Sequence, residues 1–130
     1  MTYINKKKVY HHTLNTPLYG GAQDQNKNAI LVLSGSSSSA GDRLYISKNY
    51  KKGDTLRAIY IGPSSVDLDI RLPSGCTIYS SYGNVSNTSG TDYNTSLDVS
   101  RYTMIALVCI SASFDSNGNY TQSIWRQMFI

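Results

Sequence analysis

The densest run of hydrophobic residues in the chain covers residues 104–110, which are apolar at every position. The length and β-branched content of this run favour a strand covered on both faces, with a buried helix as the alternative that periodicity alone does not exclude. The polar stretch 115–119 (DSNGN) follows, and its Asn and Gly residues tolerate the positive φ of a tight reversal. A second strand from Tyr120 to the chain end completes a predicted central hairpin. Its expected buried residues are Ile105, Leu107, Val108, Ile110 and Trp125.

Residues 67–72 show the clearest alternation of polar and apolar positions in the chain. Asp67, Asp69 and Arg71 share one face of the predicted strand, and three apolar residues share the other face. A period of two indicates a sheet with one solvated face and one buried face.

About eight short strands, at spacings of roughly 10 to 15 residues and without an amphipathic helix between them, predict an all-β fold. The expected architecture is an antiparallel β-sandwich of the jelly-roll kind, with an immunoglobulin-like sandwich as the second choice. The Cys–Trp–Cys order of immunoglobulins is absent, because Trp125 follows both cysteines. Residues 1–28 are interpreted as an N-terminal strand and loop, and residues 29–130 as the sandwich domain. The longest polar connections after the N-terminal region are residues 34–42 and 83–96.

Charged residues make up only 15% of the chain, against about 25% in an average soluble domain. The formal net charge of +4 is not gathered into a basic stripe, so no nucleic-acid partner is expected.

No run approaches the roughly 18 apolar residues of a membrane-spanning helix, so no membrane insertion is expected. The start of the chain lacks the apolar core of a signal peptide, which indicates synthesis in a cytosol or a fragment whose export signal lies elsewhere. Cys76 and Cys109 are expected to be buried free thiols, with one disulfide between adjacent strands as the alternative.

No pattern of residues indicates a catalytic or metal site. His11 and His12 are neighbours on a predicted strand, so they point to opposite faces and cannot chelate one metal in the usual way. Asp67 and Asp69 have a spacing that glycoside hydrolysis could use, but Arg71 continues the same face as a solvated strand surface. The turn at Asp115 lacks the glycine position and the distal Glu of an EF-hand loop. The prediction is therefore a protein that is not an enzyme and uses neither a cofactor nor a metal.

The candidate binding residues lie in the predicted loop 83–96 and beside it. Asp92, Tyr93 and Asn94 offer a carboxylate acceptor, an aromatic face and an amide in sequence, and Tyr82 flanks the loop. A saccharide presents C–H faces and hydroxyls, which suit an aromatic ring beside polar side chains. The competing interpretation is that Tyr93 only pins the loop to the sandwich.

Two segments, residues 51–61 (KKGDTLRAIYI) and 100–109 (SRYTMIALVC), resemble the C-terminal receptor-binding domains of bacteriophage tail fibres and baseplate adhesins. The richness in Ser, Asn, Gly and Tyr, the short strands and the chain end QMFI add to the likeness. The resemblance implies a β-sandwich tip, usually a homotrimer, that binds a cell-surface saccharide or protein. Residues 1–28 would then join the tip to its trimer or to another tail protein. The resemblance carries over no binding residue.

The expected function is host adhesion by a non-enzymatic module that recognises a bacterial surface saccharide. The protein would be made in the host cytoplasm and would reside in the virion. The alternative is a structural virion protein, such as a capsid decoration or tail-assembly subunit, that binds only other virion proteins.

Overall fold

The computed structural model describes residues 8–14, 18–21, 27–35, 42–62 and 67–128, and the structural statements that follow concern these residues. They form eleven strands, which are β1 (Val9–Thr13), β2 (Leu18–Gly20), β3 (Ile30–Ser34), β4 (Asp42–Ile46), β5 (Thr55–Tyr60), β6 (Leu68–Leu72), β7 (Cys76–Ser80), β8 (Gly83–Ser86), β9 (Thr95–Val99), β10 (Met104–Phe114) and β11 (Tyr120–Gln127). The all-β prediction is confirmed. Within the described ranges, no helix is long and apolar enough to cross a membrane.

The strands form two sheets whose inner faces share one hydrophobic core. The seven-stranded sheet has the order β1-β3-β5-β10-β11-β7-β8, and the four-stranded sheet has the order β2-β4-β6-β9. From β1 to β7, each successive strand enters the other sheet, so the chain passes back and forth between the two layers. Strands β1, β3 and β5 therefore lie parallel side by side, as do β2, β4 and β6.

This winding does not support the predicted antiparallel, jelly-roll-like arrangement. β7 also pairs in parallel with β11, and the antiparallel neighbours in the described part of the chain are β5–β10, β10–β11, β7–β8 and β6–β9. A connection between two strands can have the same length whether it joins neighbours in one sheet or passes from one sheet to the other. The spacing of strands along the sequence therefore does not distinguish an antiparallel sandwich from this fold. The strand count exceeds the predicted eight because β2, β8 and β9 lie in or beside stretches expected to be loops.

The predicted central hairpin is confirmed, since β10 and β11 are neighbours in the middle of the seven-stranded sheet. Asp115 closes their turn, because its Oδ1 accepts hydrogen bonds from the N–H groups of Asn117 and Asn119, both at 2.9 Å. The residues Ile105, Leu107 and Trp125 are buried as expected, whereas Ile110 is 37% exposed and Val108 is only half-buried. Both belong to the outward face of the sheet, so the expectation of full cover on both faces of this strand is wrong at these two positions.

The core between the sheets holds the large aromatic and thiol side chains. Tyr50 and Trp125 meet edge to face, with ring centroids 4.8 Å apart. Cys76 and Cys109 are buried free thiols, as expected. Burial raises the pKa of Cys76 to about 12, so this thiol stays protonated at neutral pH.

Parts of two predicted segments lie outside the described residues. These are residues 36–41 of the predicted loop 34–42, and residues 1–7, 15–17 and 22–26 of the N-terminal segment. Of that segment, β1 pairs with β3 and β2 pairs with β4.

Candidate functional site

Three connections meet at one end of the molecule. They are the turn after β4, the loop 87–94 between β8 and β9, and the turn of the β10–β11 hairpin. Lys48, in the first connection, forms an ion pair with Asp92 of the second, with Nζ 2.5 Å from Oδ2. The first and third connections together line a cleft of about 530 Å³. We call this cavity the end cleft, and its lining residues are Ser47, Lys48, Asn49, Gly118, Asn119 and Tyr120.

The loop 87–94 is shorter and more ordered than the predicted loop 83–96, because β8 and β9 take residues from both of its ends. Asn87 is fully buried, and its Nδ2 donates to the carbonyl oxygens of Leu72 and Thr91, both at 2.9 Å. Its Oδ1 accepts from the N–H and the hydroxyl of Ser89. A buried amide whose donors and acceptor are satisfied by its own loop and by the end of β6 fixes the path of that loop.

Tyr93 is held in place by several contacts. Its backbone has a φ of +63°, and its N–H donates to the carbonyl of Leu72 at 2.8 Å. The ring stacks on Tyr45 with centroids 4.7 Å apart, and the hydroxyl donates to the carbonyl of Ile46 at 3.0 Å. Burial raises the pKa of this hydroxyl, so it remains a donor. These contacts agree with the interpretation that Tyr93 pins its loop to the sheet.

Tyr19 completes a group of three aromatic rings, which we call the tyrosine cluster (Tyr19, Tyr45 and Tyr93). Its ring centroid lies 4.8 Å from that of Tyr45 and 5.7 Å from that of Tyr93. Tyr19 is 44% exposed, whereas the other two rings are half-buried. The cluster lies next to the end cleft, because Ser47 follows the strand of Tyr45 and its hydroxyl donates to the Gly20 carbonyl at 2.7 Å. Tyr19 is therefore the ring that presents an aromatic surface to solvent.

Asp92 is bound from two sides. Lys48 contacts one carboxylate oxygen, and the N–H of Ser74 donates to the other at 2.9 Å. The hydrogen bond from Lys48, assisted by the one from Ser74, holds the pKa of Asp92 below its ordinary value and outweighs the opposing effect of burial. The carboxylate therefore stays ionised near neutral pH and orients the ammonium group at the mouth of the end cleft.

The end cleft offers polar groups of several kinds. The side-chain amide of Asn49 is hydrogen-bonded to the Ser47 hydroxyl, with the two atoms 2.6 Å apart. The Tyr120 hydroxyl is bonded to that of Ser123 at 2.8 Å, and the Asn119 side chain is exposed. An ammonium group, amide groups and a phenol ring thus surround one cavity, which is a donor-rich environment for a ligand with many hydroxyls.

The structure places the residues predicted from sequence at two ends of the molecule. Asp92, Tyr93 and Asn94 lie together beside the end cleft, with Asn94 exposed. Tyr82 lies in the β7–β8 turn, at the opposite end of β7 from Cys76, and packs against the core. It therefore does not join the other three.

The sequence-based interpretation missed the end-cleft residues themselves, which are Lys48, Asn49, Asn119 and Tyr120. The polar turn 115–119 was visible in the sequence as a turn. Nothing local in the sequence showed that it faces the turn after β4, because that proximity arises from the pairing of distant strands.

A pair of carboxyl groups lies on the outward face of the four-stranded sheet. Asp69 is directly opposite Asp98 on β9 and, on its other side, opposite Arg43 on β4. The hydrogen bond with Asp69, then burial, raises the pKa of Asp98 to about 6. In the sequence Asp67 and Asp69 were expected to share this face, and the pairing of β6 with β9 brings Asp98 beside Asp69 as well.

Within the described ranges, no group of three or more His, Cys or Asp side chains could hold a metal ion. Comparison of the chain with protein-family models, with curated proteins and with solved structures finds no match.

Proposed function

We propose that this chain is a non-enzymatic binding module that recognises a saccharide at the end cleft. The observation that carries the proposal is a polar cavity beside an exposed tyrosine, which is lined by two connections from distant parts of the chain and braced by a third through the ion pair of Lys48 with Asp92. Binding residues tend to lie on loops held by a rigid scaffold. Here the scaffold is the sandwich, and Asn87 together with Tyr93 holds the loop 87–94 against it.

The chemistry of the cavity supports a saccharide better than an apolar ligand. Lys48 and the amides of Asn49 and Asn119 can donate to sugar hydroxyls and ring oxygens, while Tyr120 and Tyr19 offer aromatic faces for C–H groups. Asp92 and Tyr93 act as supports, since the first orients Lys48 and the second fixes the tyrosine cluster. Asn94, which is exposed next to them, is the remaining predicted contact.

The proposed partner is a bacterial surface saccharide, and the proposed setting is the receptor-binding tip of a phage tail, assembled as a homotrimer in the virion. This setting derives from the tail-fibre resemblance of residues 51–61 and 100–109. The polar end of the molecule is where an adhesive tip would meet its receptor.

An array of bacterial surface polysaccharides tests the binding function. The wild-type protein should bind at least one glycan and leave its chain length unchanged after incubation. Lys48→Ala and Tyr19→Ala should each weaken that binding by about tenfold, because each removes one charge-assisted or stacking contact. Melting temperatures should change little, since Tyr19 is exposed and an exposed ion pair contributes about 1 kcal/mol or less.

Two variants serve as matched controls. Lys52→Ala removes an exposed lysine of the same β4–β5 connection outside the cleft, and Tyr102→Ala removes an exposed tyrosine that lies beyond the far end of β5. Both should bind like the wild type. Equal losses in cleft and control variants, or the absence of any bound glycan, would remove the proposal.

A second candidate function, a structural virion subunit, is favoured by the outward face of the seven-stranded sheet. The middle of this face is apolar and only half-buried, and it comprises Ile30, Val32, Ile59, Met104, Val108 and Ile124. On the described strands, the charged residues of the face are Arg57 and Arg126. A face of this kind suits contact with another subunit. Binding to virion proteins in the absence of any glycan binding would favour this function over the first.

A further inference from the structure

We propose a second ligand site, specific for the carboxylate of an acidic sugar, at the end of the molecule opposite the end cleft. A cavity of about 360 Å³ lies where β7 and β11 end, and we call it the Arg126 cleft. Its lining residues are Tyr79, Ser80, Ser81, Arg126 and Gln127. The proposal is independent of the function proposed for the end cleft.

The orientation of the Gln127 amide is fixed by its neighbours. The backbone N–H and the hydroxyl of Ser81 both donate to Gln127 Oε1, at 2.6 and 2.8 Å. A backbone N–H can only donate, so the atom that faces Ser81 must be the oxygen, and the amide nitrogen must point away from Ser81. Neither amide hydrogen is bonded to another described residue, so Gln127 presents two donors.

Arg126 supplies a cation beside these donors. Its guanidinium carbon lies 5.0 Å from the centre of the Tyr79 ring, which is 39% exposed. None of the described aspartates forms an ion pair with Arg126, so no acidic side chain among the described residues neutralises its charge. A guanidinium supported by a ring keeps its planar fork available for two parallel hydrogen bonds to a carboxylate.

The remaining groups of the cleft suit a sugar ring attached to that carboxylate. The hydroxyls of Ser80 and Ser81 donate to the Gly83 carbonyl and to Gln127, so their oxygens can accept from a sugar hydroxyl, and the half-exposed Tyr79 ring offers an apolar surface for C–H groups. A cation, amide donors, hydroxyls and an aromatic face in one cavity match a hexuronate or a similar acidic sugar. A neutral hexose would leave Arg126 without a partner and should bind more weakly.

The two clefts lie far apart along the same strand. Tyr120, at the start of β11, lines the end cleft, and Gln127, at its end, lines the Arg126 cleft. At ~3.3 Å per residue, this separates the two by roughly 20 Å. Tyr82, predicted as a site residue, is adjacent to the Arg126 cleft, and its N–H donates to the Ser80 hydroxyl at 3.2 Å.

The test is an NMR titration of the isotope-labelled full chain with sodium glucuronate, glucose and sodium acetate at constant ionic strength, which removes differences in screening. Glucuronate should shift the Ser81 backbone amide and the Gln127 side-chain amide in a saturable way. Glucose and acetate should each bind at least about tenfold more weakly, since each lacks one half of the recognised chemistry. Failure of glucuronate to shift these signals, or equal binding of acetate and glucuronate, overturns the proposal.

Two variants separate the site from general effects of charge. Gln127→Glu keeps an oxygen to accept from Ser81 but replaces the amide donors with a negative charge, so glucuronate binding should fall by more than about tenfold while the melting temperature is retained. Arg126→Gln should cause a similar loss. Arg57→Gln, which removes the other arginine of this sheet face, should leave binding unchanged; a loss as large as that of Arg126→Gln would show only a general charge effect and would also overturn the proposal.

Discussion

At the scale of single residues, Gly21 and Gly118 share one backbone conformation but have different surroundings. Both have a φ of +81°. A Cβ added at Gly21 would lie 2.4 Å from the Cζ atom of Tyr50, a buried core residue, whereas a Cβ at Gly118 would meet no described atom within 4 Å. The left-handed conformation costs an L-residue about 1–2 kcal/mol in either place. Only Gly21 adds a collision with the core.

Replacing each glycine with alanine distinguishes the cost of the left-handed conformation from the cost of the collision with Tyr50. Gly118→Ala should lower the free energy of unfolding by about 1 kcal/mol, and Gly21→Ala should lower it by at least about 2 kcal/mol, because the Tyr50 ring must move as well. Urea unfolding of the two variants measures the difference. Equal losses of unfolding free energy would show that the Tyr50 ring can move away from the new Cβ without destabilising the protein.

Asp98 makes stability depend on pH in an unusual direction. Its pKa is raised from an ordinary 3.8 to about 6, first by the hydrogen bond with Asp69 and then by burial. Between these values the folded state binds this proton more tightly than the unfolded state does. The contribution of Asp98 to stability is therefore present below about pH 4 and is lost as the pH rises through about 6.

Asp98→Asn should accordingly raise the melting temperature at pH 7 and leave it nearly unchanged at pH 4. The gain should be small, because Asp98 is largely exposed and solvent screens its charge. Thermal melts of both proteins at the two pH values give the comparison. A gain that is larger at pH 4 than at pH 7 would contradict the assignment of the raised pKa to Asp98.

At the scale of secondary structure elements, β10 contains a buried and an exposed branched residue three positions apart. Leu107 is fully buried between the sheets, whereas Ile110 is 37% exposed. Leu107→Ala should lower the free energy of unfolding by about 2–5 kcal/mol through lost transfer energy and a cavity. Ile110→Ala should change it by about 0.5 kcal/mol or less, as is usual for surface sites. Denaturant melts that give similar losses for both variants would show that this strand packs differently.

The elements that sequence reasoning found are those with strong periodicity. β6, with its alternating Asp69 and Arg71, and β10, with its continuous apolar run, were both placed within a few residues of their observed bounds. β2 and β8 were missed because they are only three and four residues long and contain glycine. β2 owes its hydrogen bonds to β4, which is distant in sequence, whereas β8 pairs with the preceding strand β7 across a short turn.

Only the part of the candidate site that is continuous in sequence could be predicted. Asp92, Tyr93 and Asn94 are consecutive, so their combination was visible in the sequence. Lys48 is distant from Asp92 in sequence and contacts it only because the chain passes back and forth between the two sheets. Tyr82 was assigned to this site because β8 was interpreted as part of the loop 83–96, whereas the β7–β8 hairpin places Tyr82 at the opposite end of the molecule.

At the scale of the whole molecule, the apolar outward face of the seven-stranded sheet bears on assembly. The homotrimer proposed above would cover the part of this face formed by β3, β5 and β10, and would leave the Arg126 cleft on the β7 side accessible. Light scattering should then give a mass near three times the chain mass of 14.3 kDa at micromolar concentration. Ile59→Lys, in the middle of the face, should shift the protein toward the monomer without unfolding it, since the side chain is only half-buried. A wild-type protein that remains monomeric would contradict the trimer.

The β10–β11 hairpin is the last part of the described chain to leave the ribosome, yet it lies in the middle of the larger sheet. Until it emerges, β1-β3-β5 and β7-β8 are two unconnected pieces of sheet with open edges at β5 and β7. Open strand edges recruit other chains, and slow non-local pairing prolongs their exposure. A chain that ends before Met104 should therefore expose two separate pieces of sheet with open edges and should aggregate where the full chain does not.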